Sequence, residues 1–172
     1  MRIAITDTCI FIDLIDFRLT SEFFSLEVEV HTSLDVYNEL YPHQQELLKA
    51  YQSTGRLDIH VVTGEEKIKI QETEYPRSLS EIDKTIIYLG EKFDAMILSS
   101  DKAIRNFAGI KAIEVHGILW IFDRLVENKL ITHTIAVNKI RSLIFGNIIY
   151  RNNLELNTEI EKRIAKWNDL DK

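Results

Sequence analysis

The stretch LSEIDKTIIYLGEKFDAMILSSDKAIRNFA, residues 79–108, decides how this chain reads. Ser80-Glu81-Ile82-Asp83 fits a capping box, and Ser78-Leu79-Ser80-Glu81 fits another, so a helix opens here. Asp83 then falls on the same side of that helix as Ile86, Ile87 and Gly90, a face that heads for the interior. The short apolar run AMILS, residues 95–99, has the length and composition of a buried strand. Asp101 follows it and begins a short helix. A carboxylate thus stands just past the carboxyl end of a strand.

The N-terminus repeats that layout. Arg2 to Thr6 is a short β-branched run, strand-like and central, and Asp7 ends it before a helical segment. FRLTSEFF (17–24) bends into a second short helix. VEVHTS (28–33) is a second strand, and Ser33 is a suitable N-cap for the helix SLDVYNELY (33–41) that carries Glu39. Pro42 interrupts, and HQQELLKAYQSTGR (43–56) continues as a separate helix ending near Gly55. LDIHVV (57–62) is a third strand, and GEEKIKIQETEY (64–75) is a polar helix closed before Pro76. After residue 108 come a fifth strand, IKAIEV (110–115), and the helices GILWIFDRLVENKLI (117–131), HTIAVNKIRSLIFGNIIY (133–150) and LNTEIEKRIAKWNDL (156–170). Alternating strands and helices predict an α/β fold: a three-layer sandwich with a central, mostly parallel sheet of about five strands flanked by helices. In such sheets ligands bind beyond the carboxyl ends of the strands.

The totals agree with one soluble domain. The chain has 172 residues, 45% apolar and 28% charged. Two prolines and six glycines argue against long flexible linkers. One cysteine, Cys9, excludes an intrachain disulfide and suits a reducing compartment. No signal-peptide pattern and no membrane-length apolar run are visible, so the expected location is the cytoplasm. The net charge of −6 argues against holding nucleic acid by bulk electrostatics. It does not exclude a nuclease, because bound cations can supply positive charge locally.

Four carboxylates are the candidates for chemistry: Asp7, Glu39, Asp83 and Asp101. Gathered at one sheet edge they would repel one another unless a cation neutralised them, and Mg²⁺ or Mn²⁺ does this through oxygen ligands. Each also has an ordinary reading. Asp7 can be an N-cap. Asp101 can cap its helix, although Ser100 serves equally and would free Asp101, and Arg105 four residues on can pair with it. Asp83 can belong to the capping box, with Glu81 as the alternative acid. Glu39 is mid-helix, where glutamates are mostly solvated, yet Val36 and Leu40 flank it and suggest partial burial. The five histidines (31, 43, 60, 116, 133) show no pair at metal-ligand spacing on one helix and read as structural. The stripe Ile160, Ile164, Trp167 and Leu170 reads as an amphipathic helix docked on its own domain.

The order of these elements resembles the PIN-domain nucleases, especially bacterial toxins of the VapC type. TDTCIFIDL (6–14) looks like the family's strand-end Asp-Thr/Ser motif, LDVYNEL (34–40) like its second acidic helix, and residues 79–108 like its segment of helix-opening Asp, buried strand and acid before an Arg-containing helix. VHGILWIFDRLVENKLI (115–131) is similar to a tail in one prokaryotic branch. Two positions depart: Cys9 stands where many relatives have Asn, and Ser100 where many have an acid or amide. The resemblance implies a PIN-like domain over residues 1–131, with 132–172 as a helical extension packed on it. It implies a Mg²⁺- or Mn²⁺-dependent endoribonuclease whose catalytic and metal-binding residues are Asp7, Glu39, Asp83 and Asp101. It also implies an RNA substrate, a homodimer, and the toxin half of a toxin–antitoxin pair with a small antitoxin partner. The rival expectation is a catalytically inactive PIN-like scaffold that binds RNA or a protein. A phosphatase using Asp7 as nucleophile fits poorly, since Cys9 occupies the position where a second Asp belongs.

Overall fold

The structure is a computed structural model that describes residues 2–146 and 151–170. The chain divides into two compact units, residues 1–118 and 119–172. In the first, five strands form one sheet: β1 (Arg2–Thr6), β2 (Val28–Ser33), β3 (Leu57–His60), β4 (Met96–Leu98) and β5 (Val115–His116). All pairs are parallel, as the alternation predicted, and the order is β3-β2-β1-β4-β5. Seven helices connect the strands: α1 (Thr8–Asp16), α2 (Thr20–Phe23), α3 (Leu34–Glu39), α4 (Pro42–Ser53), α5 (Gly64–Glu72), α6 (Glu81–Lys92) and α7 (Lys102–Ile110).

The sheet reverses direction of growth at its centre. From β1 the chain builds outward to β2 and β3, then returns to the other side of β1 for β4 and β5. The gap between the carboxyl ends of β1 and β4 is therefore a topological switch point, the place where such sheets open a crevice. Helix α6 packs on β1, β2 and β4 and comes very close at Gly90. A Cβ there would lie 3.0 Å from Ile97 Cδ1 on β4, so a larger residue would press on that side chain and a glycine suits the close approach. Ala4, Ile5, Ile86, Ile87, Ile97 and Leu98 are essentially fully buried around this contact.

Some boundaries differ from the sequence reading. IKAIEV is not a six-residue strand: α7 runs on through Ile110, Ala112 turns with a left-handed φ of 56°, and the strand is only Val115–His116. The helical pull comes from the buried stripe Ile104, Phe107 and Ala108. The polar helix α5 ends at Glu72, before Tyr75.

The second unit contains helices α8 (Ile118–Glu127), α9 (His133–Gly146) and α10 (Leu154–Leu170), of which α8 starts at the unit boundary. The Arg163 guanidinium holds Asp123 Oδ2 through Nε at 3.0 Å and Nη2 at 2.9 Å, which ties α10 to α8. Ile160, Ile164 and Trp167 are buried, and Trp167 faces Phe122 with ring centroids 6.5 Å apart. The side chain of Leu170 and the predicted helical residues 147–150 lie outside the described residues. Among the described residues no helix is long and apolar enough to cross a membrane.

Candidate functional site

Asp7 sits in the crevice between β1 and β4. Its backbone N–H donates to Leu98 O at 3.0 Å, prolonging the β1–β4 pairing by one residue. The side chain is only 7% exposed. Oδ1 accepts from Thr8 N at 2.7 Å, which makes Asp7 the N-cap of α1. Oδ2 accepts from Ser99 Oγ at 2.8 Å and from Cys9 Sγ at 3.2 Å. Burial pushes this carboxyl above the usual carboxylate range, the negative charge of Asp83 adds to the effect, and the three hydrogen bonds oppose it without reversing it. No lysine or arginine bonds to it among the described residues, so its charge meets only neutral donors. The same burial, with the charge of Asp7, drives the Cys9 thiol far above its ordinary value and keeps it protonated.

Two connectors bring other acids to Asp7. Thr8 Oγ1 donates to Glu39 Oε2 at 2.5 Å while its N–H holds Asp7. Ser99 Oγ donates to Asp7 and accepts from Asp101 N at 3.0 Å. Asp101 is itself the N-cap of α7: Oδ1 accepts from Ala103 N at 2.7 Å and Ile104 N at 3.0 Å. The cap is therefore Asp101 and not Ser100, and it engages one carboxylate oxygen. Asp83 closes the capping box of α6, with Oδ2 accepting from Ser80 N at 2.7 Å. It is half-buried and acts on Asp7 through its charge.

Glu39 departs from its expectation. Val36 and Leu40 are buried, but Glu39 lies on the exposed side of α3 and faces the crevice from its rim. Arg105 also departs, because among the described residues its guanidinium forms no ion pair with Asp101. It lies instead over Gly117, where a Cβ would stand 3.1 Å from Arg105 Nη1 and 3.6 Å from Ser100 Oγ. Sequence reasoning missed Thr8 and Ser99. The signal for Ser99 was present: strand alternation puts Ile97 and Ser99 on one face, and Ile97 pairs with Ile5, two residues before Asp7. It missed the histidine pair too. His31 and His60 stand on adjacent strands, with His60 Nε2 3.0 Å from His31 Nδ1.

The four acids thus surround one crevice, yet among the described residues no three His, Cys, Asp or Glu side chains stand close enough together to hold a metal ion. The donor set nevertheless fits a hard divalent cation in kind. It offers oxygens only, and its central carboxylate is buried with no counter-charge. Ligation by three of the four requires the outer carboxylates to close on Asp7.

No curated protein matches the chain. The family described as a PIN domain (DUF3368) matches residues 3–159, nearly the whole length. PIN domains are generally nucleases that use divalent metals. The five-stranded parallel sheet flanked by helices is consistent with that match, and the chain belongs to the PIN-domain family.

Proposed function

We propose that the protein is a Mg²⁺- or Mn²⁺-dependent endoribonuclease. The observation that carries this reading is Asp7: a carboxylate buried at the β1–β4 switch point, above its ordinary pKa, ringed by acids and without a cationic partner. Natural cores do not keep an uncompensated charge unless something else meets it. Asp7, Glu39, Asp83 and Asp101 would hold the ion. When bound, it supplies Lewis acidity, lowering the pKa of a water and offsetting charge on the phosphate.

The chain's own residues do the positioning. Thr8 and Ser99 grip both oxygens of Asp7 and fix its plane. The α7 cap fixes the rotamer of Asp101 through Oδ1 alone. Thr8 steers Glu39 towards the crevice. Arg105, beside Ser100 at the crevice edge, supplies positive charge for the substrate phosphate. A water attacks phosphorus in line with the leaving oxygen, and no side-chain nucleophile is needed.

The proposal extends to context. The enzyme acts as the toxin of a toxin–antitoxin pair in the cytoplasm, works as a homodimer, and is held inactive by a small antitoxin. The test is cleavage of mixed single-stranded and structured RNAs by wild type and Asp7→Asn, with Mg²⁺, with Mn²⁺ and with EDTA. Metal-dependent cleavage by wild type that Asp7→Asn lacks is the expected result. Equal cleavage by both proteins would sink the assignment. One observation favours the rival, a scaffold that binds RNA or a protein without cutting: the separation of the four acids. For a scaffold, Mg²⁺ leaves the melting temperature unchanged and no RNA is cut.

A further inference from the structure

Glu39, which accepts from Thr8 at the crevice, also lines an open groove of about 490 Å³ between α3, α5 and α6. Its walls are well fixed. Tyr37 and Gln45 exchange hydrogen bonds that lock the end of α3 onto α4. Glu66 accepts from Tyr88 Oη at 3.1 Å and Lys92 Nζ at 2.8 Å, which locks α5 onto α6. The floor is apolar, formed by Ile70 and Ile82. Around it stand the carboxylates of Asp35, Glu39 and Glu81 and the amides of Asn38 and Gln71, with Lys67 as the one cation of the lining.

Most of this polar lining is unspent. Among the described residues the side chains of Asp35, Asn38 and Gln71 make no hydrogen bond, Glu39 uses one oxygen, and Glu81 Oε1 accepts from Lys84 Nζ at 2.5 Å. A phosphate would meet three carboxylates and one ammonium and be repelled. A flat ligand with an N–H edge is what suits the lining: the apolar floor takes its face, and the carboxylates take its donors. Among the four RNA bases only guanine has two adjacent parallel donors, N1–H and the 2-amino group, which match the two oxygens of a carboxylate. Its opposite edge, O6 and N7, offers acceptors to Lys67 or to an amide N–H. Single-stranded RNA presents bases in this way, unstacked and read on their edges.

We infer that this groove is a guanine-binding subsite, which places a guanosine next to the phosphodiester to be cut. The inference rests on the nuclease reading for its purpose, but its binding chemistry stands apart from catalysis. Asp35 receives the N1–H and 2-amino pair, Asn38, Gln71 and Lys67 meet the O6/N7 edge, and Ile70 and Ile82 support the ring. The acidic walls favour a base over its phosphate, so a neighbouring phosphate is left to the crevice and Arg105.

The test uses the full-length, metal-free protein with its isoleucine methyl groups labelled, titrated with guanosine, inosine, adenosine and uridine. Guanosine should move the Ile70 and Ile82 signals and bind about tenfold or more tighter than uridine or adenosine, the discrimination of one good bidentate contact. Inosine, which lacks the 2-amino group, should fall between. Gln71→Ala and Asn38→Ala should each weaken guanosine several-fold while leaving the spectrum folded. Unmoved methyl signals up to the solubility limit of guanosine, or equal binding of uridine, would overturn the subsite. So would a response to N-acetyl-arginine amide without one to guanosine, which would give the groove to a cationic protein segment. Guanosine binding by a protein that cuts no RNA would keep the subsite and remove the nuclease. Cleavage without guanosine binding would do the reverse.

Discussion

Two polar clusters are built into the same sheet, and they treat charge in opposite ways. In the first, at the carboxyl end of β1, Asp7 is buried with only Thr8, Ser99 and Cys9 as donors, and its pKa rises. In the second, across β2 and β3, His60 meets His31 at 3.0 Å, and His31 Nε2 lies 3.2 Å from Asp58 Oδ2. Phe93 packs on both rings. Burial lowers the pKa of His60, aided by His31. The histidine cluster closes on itself ring to ring, with an exposed carboxylate at its end. The aspartate cluster does not close, because it has donors for its oxygens but no cation for its charge. Buried polar groups that satisfy one another read as structure, and a buried charge left unmet reads as a binding site.

The sharpest way to break this contrast is Asp7→Asn. It should reduce RNA cleavage by roughly a thousandfold or more, because it removes the negative charge of the central ligand. The same change should raise the melting temperature of the metal-free protein, since a buried charge is gone. Mg²⁺ should then stabilise wild type and not the variant, as a ligand that binds only the native site must. A metal-free Asp7→Asn protein that melts lower than wild type would show that the hydrogen bonds outweigh the unmet charge. Asp101→Asn comes next. Asn caps helices about as well as Asp, so stability should hold within about 0.5 kcal/mol while cleavage falls by about a hundredfold. Loss of fold in this variant would mean that the cap and not the charge is what matters.

Smaller effects probe the surroundings. Gly117→Ala should push the Arg105 guanidinium, the mobile end of a long side chain, off its place. Cleavage should fall by about tenfold through weaker substrate binding, with no change in melting temperature. Gly90→Ala presses on Ile97 at 3.0 Å, with another Ile97 carbon at 3.1 Å. Denaturant unfolding should register a loss of about 1–3 kcal/mol from overpacking. The smallest change is the pH dependence of the histidine cluster. Because the folded-state pKa of His60 is lowered, its contribution to stability is complete above the unfolded value near 6.5 and declines as pH falls through that value towards the folded one. In His60→Gln this part of the slope between about pH 7 and pH 5 should flatten. An unchanged slope would assign it to other groups.

What could be read in the sequence was what local chemistry fixes. The β-branched run 2–6, the strand 28–33 and the cap at Ser33 stand where the sequence predicted them. Where two local signals competed, the stronger apolar stripe won, as when α7 absorbed Ile110 and shortened β5 to Val115–His116. At the candidate site Asp7, Asp83 and Asp101 were legible because each follows a strand or opens a helix, whereas Glu39 was singled out by the family resemblance. The connectors were not, because Ser99 and Thr8 acquire meaning only when distant strands pair. Capping also hid the site. Asp7, Asp83 and Asp101 all cap helices, so the ordinary reading of each is true. Whether each also binds a cation lies in the oxygens that the caps leave over. The groove beside Glu39 is farther still from the sequence, since Asn38, Gln71 and Ile82 come from three separate helices.

The hydrogen bond from Ser99 to Asp7 spans 92 residues of chain. A ribosome extends a chain from its N-terminus, and strands of a parallel sheet must wait for their neighbours. Asp7 emerges 92 residues before Ser99, so its crevice has no second wall until β4 has been synthesised and has paired with β1. A nascent chain that has not yet reached β4 therefore carries Asp7 and no site. If the protein cuts RNA, its own messenger is among the nearest RNA while it is being made. In that case the late arrival of β4 keeps the growing chain inert until β1 and β4 have paired.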